Sequence, residues 1–218
     1  MLFVGEVFIM ILASETALFV IDMQRDFCEK SGYADQMGLD YQKLRRPIEN
    51  IQKLLQWARK KGVFVIHTRE GHRADLSDLS EIKKMRTHGL QSEIGSIGPM
   101  GRLMIRGEYG HDIIDELKPI QDEPIIDKAG YSAFAHTDLA LILNNHCIKN
   151  LIITGVTTEV CVSSTLRQAT DLGFHCITVE DACASADDEL HQAALAMIKV
   201  ENGIFGQVMK TTEIINFE

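Results

Sequence analysis

Three residues could do chemistry together. They are a carboxylate, Asp22, in IDMQRDF; an ammonium, Lys128, in IIDKAGYSAF; and a thiol, Cys161, in ITGVTTEVCVSSTLRQA. Asp22 and Lys128 each end an apolar run that reads as a strand, and Cys161 follows such a run by a few residues. Taken singly they are ordinary: a turn or capping Asp, a Lys exposed at a strand end, a buried structural Cys. Taken together they make a mechanism. Cys161 opens the helix after a strand that finishes at Gly155–Val156. The orphan N–H groups and positive dipole end of that helix lower a thiol pKa and favour the thiolate. The thiolate attacks a carbonyl. Asp22 takes the thiol proton and returns it to a leaving nitrogen. Lys128 stabilises the thiolate and keeps Asp22 acidic. The backbone N–H groups of Thr157 and Cys161 hold the oxyanion.

Other residues are secondary candidates. Phe27 walls the pocket or packs in the core. Glu70, ending the second strand run, binds substrate N–H groups or pairs with Arg73. Thr158 is a candidate substrate contact, although it and Glu159 suit a turn-shaping role better. His67 and His72 are five apart, which is not the i, i+4 spacing of a helical metal pair, and His136, His146, His175 and His191 are scattered. No metal and no cofactor are expected.

The elements that must position these groups alternate along the chain. Apolar, β-branched runs occur at Ala17–Asp22, Val63–Thr68, Pro124–Lys128, Leu151–Val156 and Cys176–Glu180. Near-continuous runs of this kind suit strands covered on both faces. Helical stretches lie between and after them at Tyr41–Lys61, Thr137–Asn145, Val160–Leu172 and Glu189–Val200. The first carries an apolar stripe through Ile48, Ile51, Leu54, Leu55 and Ala58. Pro47 marks its true start and Gly62 its C-cap. Such alternation predicts an α/β fold, doubly wound, with a mostly parallel sheet and helices on both faces. Ligands then bind beyond the carboxyl ends of the strands. The polar segment from Gly71 to Tyr109 has no clear period, and a loop of that length is usually functional.

Composition bounds the class. The chain has 218 residues, enough for one domain of roughly 150 residues or somewhat more, read here as an N-terminal arm over 1–15 and one hydrolase-sized domain over 16–218. Lys plus Arg number 22 against 31 Asp plus Glu, a net charge of −9. That excess disfavours nucleic acid and anionic membrane as partners. Five cysteines without framework spacing point to free thiols and a cytoplasmic setting. The opening MLFVGEVFIMILA is apolar, but it lacks a basic flank, carries Glu6 and is short for a bilayer span. It reads as an N-terminal arm or an edge strand, docking on a partner subunit being one role for it.

IDMQRDF, HTREGH, IIDKAGYSAF and GVTTEVCVSSTLRQA, in this order, resemble the isochorismatase-like cysteine hydrolase superfamily from about Thr16 to the C-terminus. The resemblance implies a six-stranded, Rossmann-type three-layer fold and an Asp–Lys–Cys triad at Asp22, Lys128 and Cys161. It also implies a non-proline cis peptide at Val156–Thr157, before the oxyanion donor, and a dimer or tetramer. Within the superfamily the nearer likeness is to biuret hydrolases and related ureido amidohydrolases. It is carried by IDMQRDFCEKSGYADQMGLDY, IHTREGHRADLSDL, RLMIRGEYGHDIIDEL and GVTTEVCVSSTLRQATDLGF. Two positions depart from the biuret pattern. Tyr131 stands where those enzymes carry a second lysine, and Glu201 where they tend to have Gln. Tyr131 and the following Ser132–Phe134 look more like ureidoacrylate hydrolases. Glu201 in the pocket would favour a substrate that presents N–H donors. The expected activity is hydrolysis of a small ureido compound of biuret or triuret type with release of ammonia; ureidoacrylate is the alternative.

Three other readings compete. Vinyl-ether cleavage on the same fold does not need a cysteine nucleophile. A dinucleotide-binding module needs GxGxxG after the first strand, where this chain has DMQRDF. A thiol redox protein needs a resolving cysteine near Cys161.

Overall fold

The computed structural model describes residues 12–216. Its central sheet is built from β1 (Thr16–Ile21), β2 (Phe64–Glu70), β3 (Ile125–Lys128), β4 (Asn150–Val156), β5 (His175–Ala184) and β6 (Gln207–Met209). Every pairing is parallel, and the spatial order is β3-β2-β1-β4-β5-β6. Strand order therefore reverses between β1 and β4, which is where such sheets open a crevice at their carboxyl ends. The expected doubly wound, six-stranded architecture is what the chain adopts. The five apolar runs match β1 to β5 within a few residues. The sixth strand has only three residues, too few to leave a periodic signature.

Both faces are covered, so β1 and β4 are buried along their whole length. Alternate residues of β1 feed opposite cores, as strand geometry requires. Leu18 and Val20 pack with helix α1 (Ile48–Lys61), through Ile51, Leu54, Leu55 and Ala58, and with Ile214 of α6 (Thr211–Ile215). Ala17, Phe19 and Ile21 pack on the other face with α3 (Leu139–Asn145), α4 (Ser163–Asp171) and α5 (Asp188–Ile198). Pro47 caps α1, and Gly62 closes it at φ 74°, with the Val63 N–H returning to the Ala58 carbonyl at 2.9 Å. The expected start at Pro47 holds: Tyr41–Leu44 is a separate single turn, because Pro47 interrupts the helical stretch.

The segment between β2 and β3 is not a free loop. It contains helix α2 (Glu81–Thr87) and a two-residue hairpin pairing Ile97–Gly98 with Gly101–Arg102. It then folds back, burying Leu103, Met104 and Ile105. His72 bridges to Ile105, and buried Asp26 accepts the Met104 N–H at 3.0 Å. The arm expected over 1–15 falls largely outside the described residues; within them Ala13–Glu15 forms one 3₁₀ turn. Among the described residues no helix is long and apolar enough to cross a membrane.

Candidate active site

The carboxyl ends of β1, β2 and β3 and the turn after β4 converge on one point. Asp22 follows β1 in the left-handed region, at φ 51°, which a short polar side chain tolerates. Its backbone N–H reaches the Thr68 carbonyl at 3.2 Å, and the Thr68 hydroxyl donates to Asp22 Oδ1 at 2.6 Å. Two residues on, buried Gln24 clamps the tip of β2. Its Oε1 accepts the Glu70 N–H at 2.7 Å and its Nε2 donates to the Glu70 carbonyl at 2.9 Å. The IDMQ motif thus fixes both carboxylates. On the other side of β1, a Cβ on Gly155 would lie 2.1 Å from the Ile21 carbonyl oxygen. Only glycine permits β4 to approach β1 so closely beneath the site.

Lys128 is fully buried. Its Nζ lies 2.7 Å from Asp22 Oδ2, 3.5 Å from Cys161 Sγ and 3.8 Å from Glu70 Oε2, and donates to the Gly130 carbonyl at 3.1 Å. Cys161, 3% exposed, points its thiol at Glu70 Oε2 at 3.3 Å. It sits in a π-helical turn, Thr158–Val162, that precedes α4 and follows a cis peptide at Val156–Thr157, as the resemblance implied. The Thr157 hydroxyl is buried without a hydrogen-bond partner among the described residues.

The electrostatics correct two expectations, a lowered thiol and an Asp22 kept acidic by Lys128. The thiol is raised above its ordinary pKa, not lowered. Burial is the main cause; Lys128 opposes it, while Asp22 and Glu70 add to it. Burial likewise raises Asp22 in spite of Lys128. Burial opposes ionisation of Glu70 as well, but Lys128 and Lys83 overcome it and hold this carboxylate below its usual range. Lys128 is held charged: burial works against it and Asp22, Cys161 and Glu70 outweigh burial. The site therefore sets a charged Lys128 and a Glu70 carboxylate beside an Asp22 and a thiol whose ionisation burial opposes.

Other candidate residues divide. Glu70 does not pair with Arg73, which instead meets Asp75 at 3.6 Å. It pairs with Lys83 of α2, whose ammonium also donates to the Ala129 carbonyl at 2.9 Å. Tyr131 lies under the same lysine, 5.0 Å from Nζ to ring centroid, and Arg86 donates to its hydroxyl at 3.1 Å. Phe27 is half-buried on the core and meets Tyr33 edge-on, with centroids 6.2 Å apart. Thr158 is buried and spent on His191 Nδ1 at 2.8 Å, so it shapes the turn. Glu201 is corrected outright. It is exposed, at φ 50°, between α5 and β6. Its neighbour β6 pairs with the start of β5 at Ile177–Gln207, so Glu201 lies at the amino end of the sheet, opposite Cys161.

Sequence reading missed Lys83, Tyr33 and Gln24. Tyr33 lies close enough to Glu70 and Tyr131 that they help burial push its phenol up to about 12. Lys83 sits in a stretch without periodicity, and only the fold-back of that segment brings it inward. Gln24 was visible in the motif, but its role needs the β1–β2 register.

One cluster has donor types that hold metals: Asp22, Glu70 and Cys161 present ligand atoms within 4.8 Å of one another. Lys128 Nζ approaches all three. Its ammonium takes the position a cation would need.

A profile of the isochorismatase domain matches residues 16–213. The chain belongs to the isochorismatase family of hydrolases. It is 33% identical over 217 residues to a ureidoacrylate amidohydrolase, RutB, of Acinetobacter baylyi, covering 95% of this chain and 85% of that one. Among solved structures it resembles a cysteine hydrolase from Pseudomonas syringae pv. phaseolicola, with 29% identity, a TM-score of 0.82 and coverage of 95% and 94%. An isochorismatase-like hydrolase from Alkaliphilus metalliredigens matches at 29% identity and a TM-score of 0.75, covering 96% of this chain and all of that one. The family assignment turns the superfamily resemblance into a finding. The Acinetobacter relative carries the name of the alternative substrate, ureidoacrylate, rather than biuret.

Proposed function

We propose that this protein is a cysteine-dependent amidohydrolase that cleaves a C–N bond of a small ureido compound, of ureidoacrylate rather than biuret type. The observation that carries the chemistry is the buried contact of Lys128 with both Asp22 and Cys161. The substrate class is supported by the ureidoacrylate amidohydrolase at 33% identity and by Tyr131 beside two cations, Lys83 and Arg86. Biuret has no anionic end for those cations.

Cys161 Sγ attacks the ureido carbonyl carbon, and its proton passes to Asp22, whose raised pKa suits a base that must accept one. The carbonyl electron pair moves onto oxygen, and the Thr157 and Cys161 amides donate hydrogen bonds to it. Collapse expels the leaving nitrogen, which takes the proton back from Asp22 and leaves a thioester on Cys161. Water then attacks, giving one proton to Asp22; the C–S bond breaks and Sγ recovers that proton. Lys128 stays charged throughout, offsetting the negative charge that passes between Asp22 and sulfur.

The test is substrate loss and ammonia release from ureidoacrylate, biuret, triuret, nicotinamide and maleamate. Ureidoacrylate should be turned over fastest. Cys161→Ser should lower that rate by about 10³-fold or more, since an alcohol beside this base is a far weaker nucleophile, and should leave the thermal midpoint nearly unchanged. Equal rates in wild type and variant would end the covalent mechanism. Preference for biuret or triuret would restore the other substrate class.

A further inference from the structure

Lys83 closes the site in this structure. Its ammonium sits on Glu70, the carboxylate that also accepts the Cys161 thiol, and on the Ala129 carbonyl. Its side chain is 13% exposed, in the first turn of α2, a helix exposed except at Lys83 and the buried Thr87. One turn along, Arg86 holds the Tyr131 hydroxyl at the mouth. A substrate bonded to Sγ lies next to Glu70, whose Oε2 is 3.3 Å from that sulfur and whose other oxygen is held by Lys83.

We infer that Lys83 is a latch that reads both ends of the substrate. The terminal ureido N–H groups replace the ammonium on Glu70, and the displaced Lys83, with Arg86, binds a carboxylate at the far end. The exchange conserves charge pairing. Glu70 trades one hydrogen-bond donor for others, and Lys83 trades one carboxylate for another. A neutral ureido compound would leave the ammonium without a partner, at the cost of a desolvated charge. The latch thus selects small molecules that carry a ureido group at one end and a carboxylate at the other. Tyr131 suits the same role: its ring lies 5.0 Å from the ammonium, and its hydroxyl orients Arg86. This inference rests on the ureido reading above.

The test compares kcat/KM for ureidoacrylate with that for its methyl ester, which keeps the ureido group and loses the charge. The ratio of acid to ester should fall about 30-fold in Lys83→Met, the worth of one charge-assisted hydrogen bond, and stay within a few-fold of wild type in Lys83→Arg. Because the readout is a ratio, a general loss of fold or of catalysis does not mimic it. An unchanged ratio in Lys83→Met overturns the inference. A second readout needs no turnover: alkylation of Cys161 by iodoacetamide, followed on its peptide by mass spectrometry. 3-Ureidopropanoate should slow alkylation of wild type but not of Lys83→Met, and 3-ureidopropanamide should protect weakly in both. Equal protection by acid and amide overturns the latch even if ureidoacrylate is not the substrate. Selective protection without turnover supports the latch and rejects the ureidoacrylate reaction instead.

Discussion

The two ends of the sheet each gather charges, and they use them in opposite ways. At the amino end Glu123 accepts four hydrogen bonds: two from Arg59, at 2.8 and 2.9 Å, one from His67 Nε2 at 3.2 Å and one from the Ile120 N–H at 3.0 Å. Burial alone would raise this carboxylate, yet these donors hold it down to about 2. A cavity of about 340 Å³ opens beside it, lined by Arg59, Phe64, Glu123 and His146 among others, with no cysteine among its described lining residues. At the carboxyl end Asp22 has one hydroxyl and one ammonium for partners and is raised, and the thiol beside it is raised as well. A saturated carboxylate is at rest and serves the fold. An under-supplied one beside a neutral thiol is poised to accept a proton and serves chemistry.

The comparison breaks most severely at Lys128. Lys128→Met leaves Asp22 and Glu70 buried side by side with only Lys83 to offset them. Removing one partner of a buried pair costs about 3–5 kcal/mol, so chemical denaturation should show a loss of that order, and turnover should fall by about 10³-fold or more. Adding Asp22→Asn removes the stranded charge. The double variant should recover much of the stability and none of the activity. If stability did not return, the Lys128–Asp22 contact would not be the pair that matters.

The carboxyl-end half of this contrast is legible in the sequence; the Glu123 cluster is not. Asp22 and Lys128 end apolar strand runs and Cys161 follows one by a few residues, and parallel strands bring their carboxyl ends together by geometry alone. Burial on both faces made β1 and β4 easy to find. What stayed hidden depends on long-range closure. Lys83 reaches Glu70 only because the segment after β2 folds back through Met104 and Asp26. The direction of the Cys161 shift was misread because a helix start and a lysine were weighed, whereas full burial and two carboxylates decide it. Glu201 was placed in the pocket by analogy, but the short β6 carries it to the opposite end.

A sharper version of the comparison uses pH. A base must be ionised to accept a proton, so activity should rise with pH through the limb set by Asp22, which lies above the ordinary carboxylate value of 3.8. Because Asp22, Glu70 and Lys128 are in mutual contact, the limb belongs to the cluster rather than to one residue. Asp22→Asn should lower kcat by about 10²–10⁴-fold, the usual worth of a general base, and the residual rate should lose that acidic limb. A limb that survives the substitution would move the role of base to Glu70.

The smallest effect belongs to the amino end, and there stability moves without activity. Glu123 is depressed from 4.5 to about 2 in the folded chain. A depressed carboxylate stabilises the fold at pH above its unfolded value, and that contribution is lost as pH falls through the folded value. Glu123→Gln should therefore destabilise the protein at pH 7 by about 1–2 kcal/mol, less than the full shift implies because Arg59 is partly open to solvent and its pairing is screened. The gap between wild type and variant should narrow as pH is lowered from about 4.5 towards 2. Turnover per folded molecule should not change, because Glu123 lies beside the amino end of β3 and the triad at the carboxyl ends of the strands. A change in kcat would mean that the two ends of the sheet are coupled, and that the amino-end cavity does more than fill space.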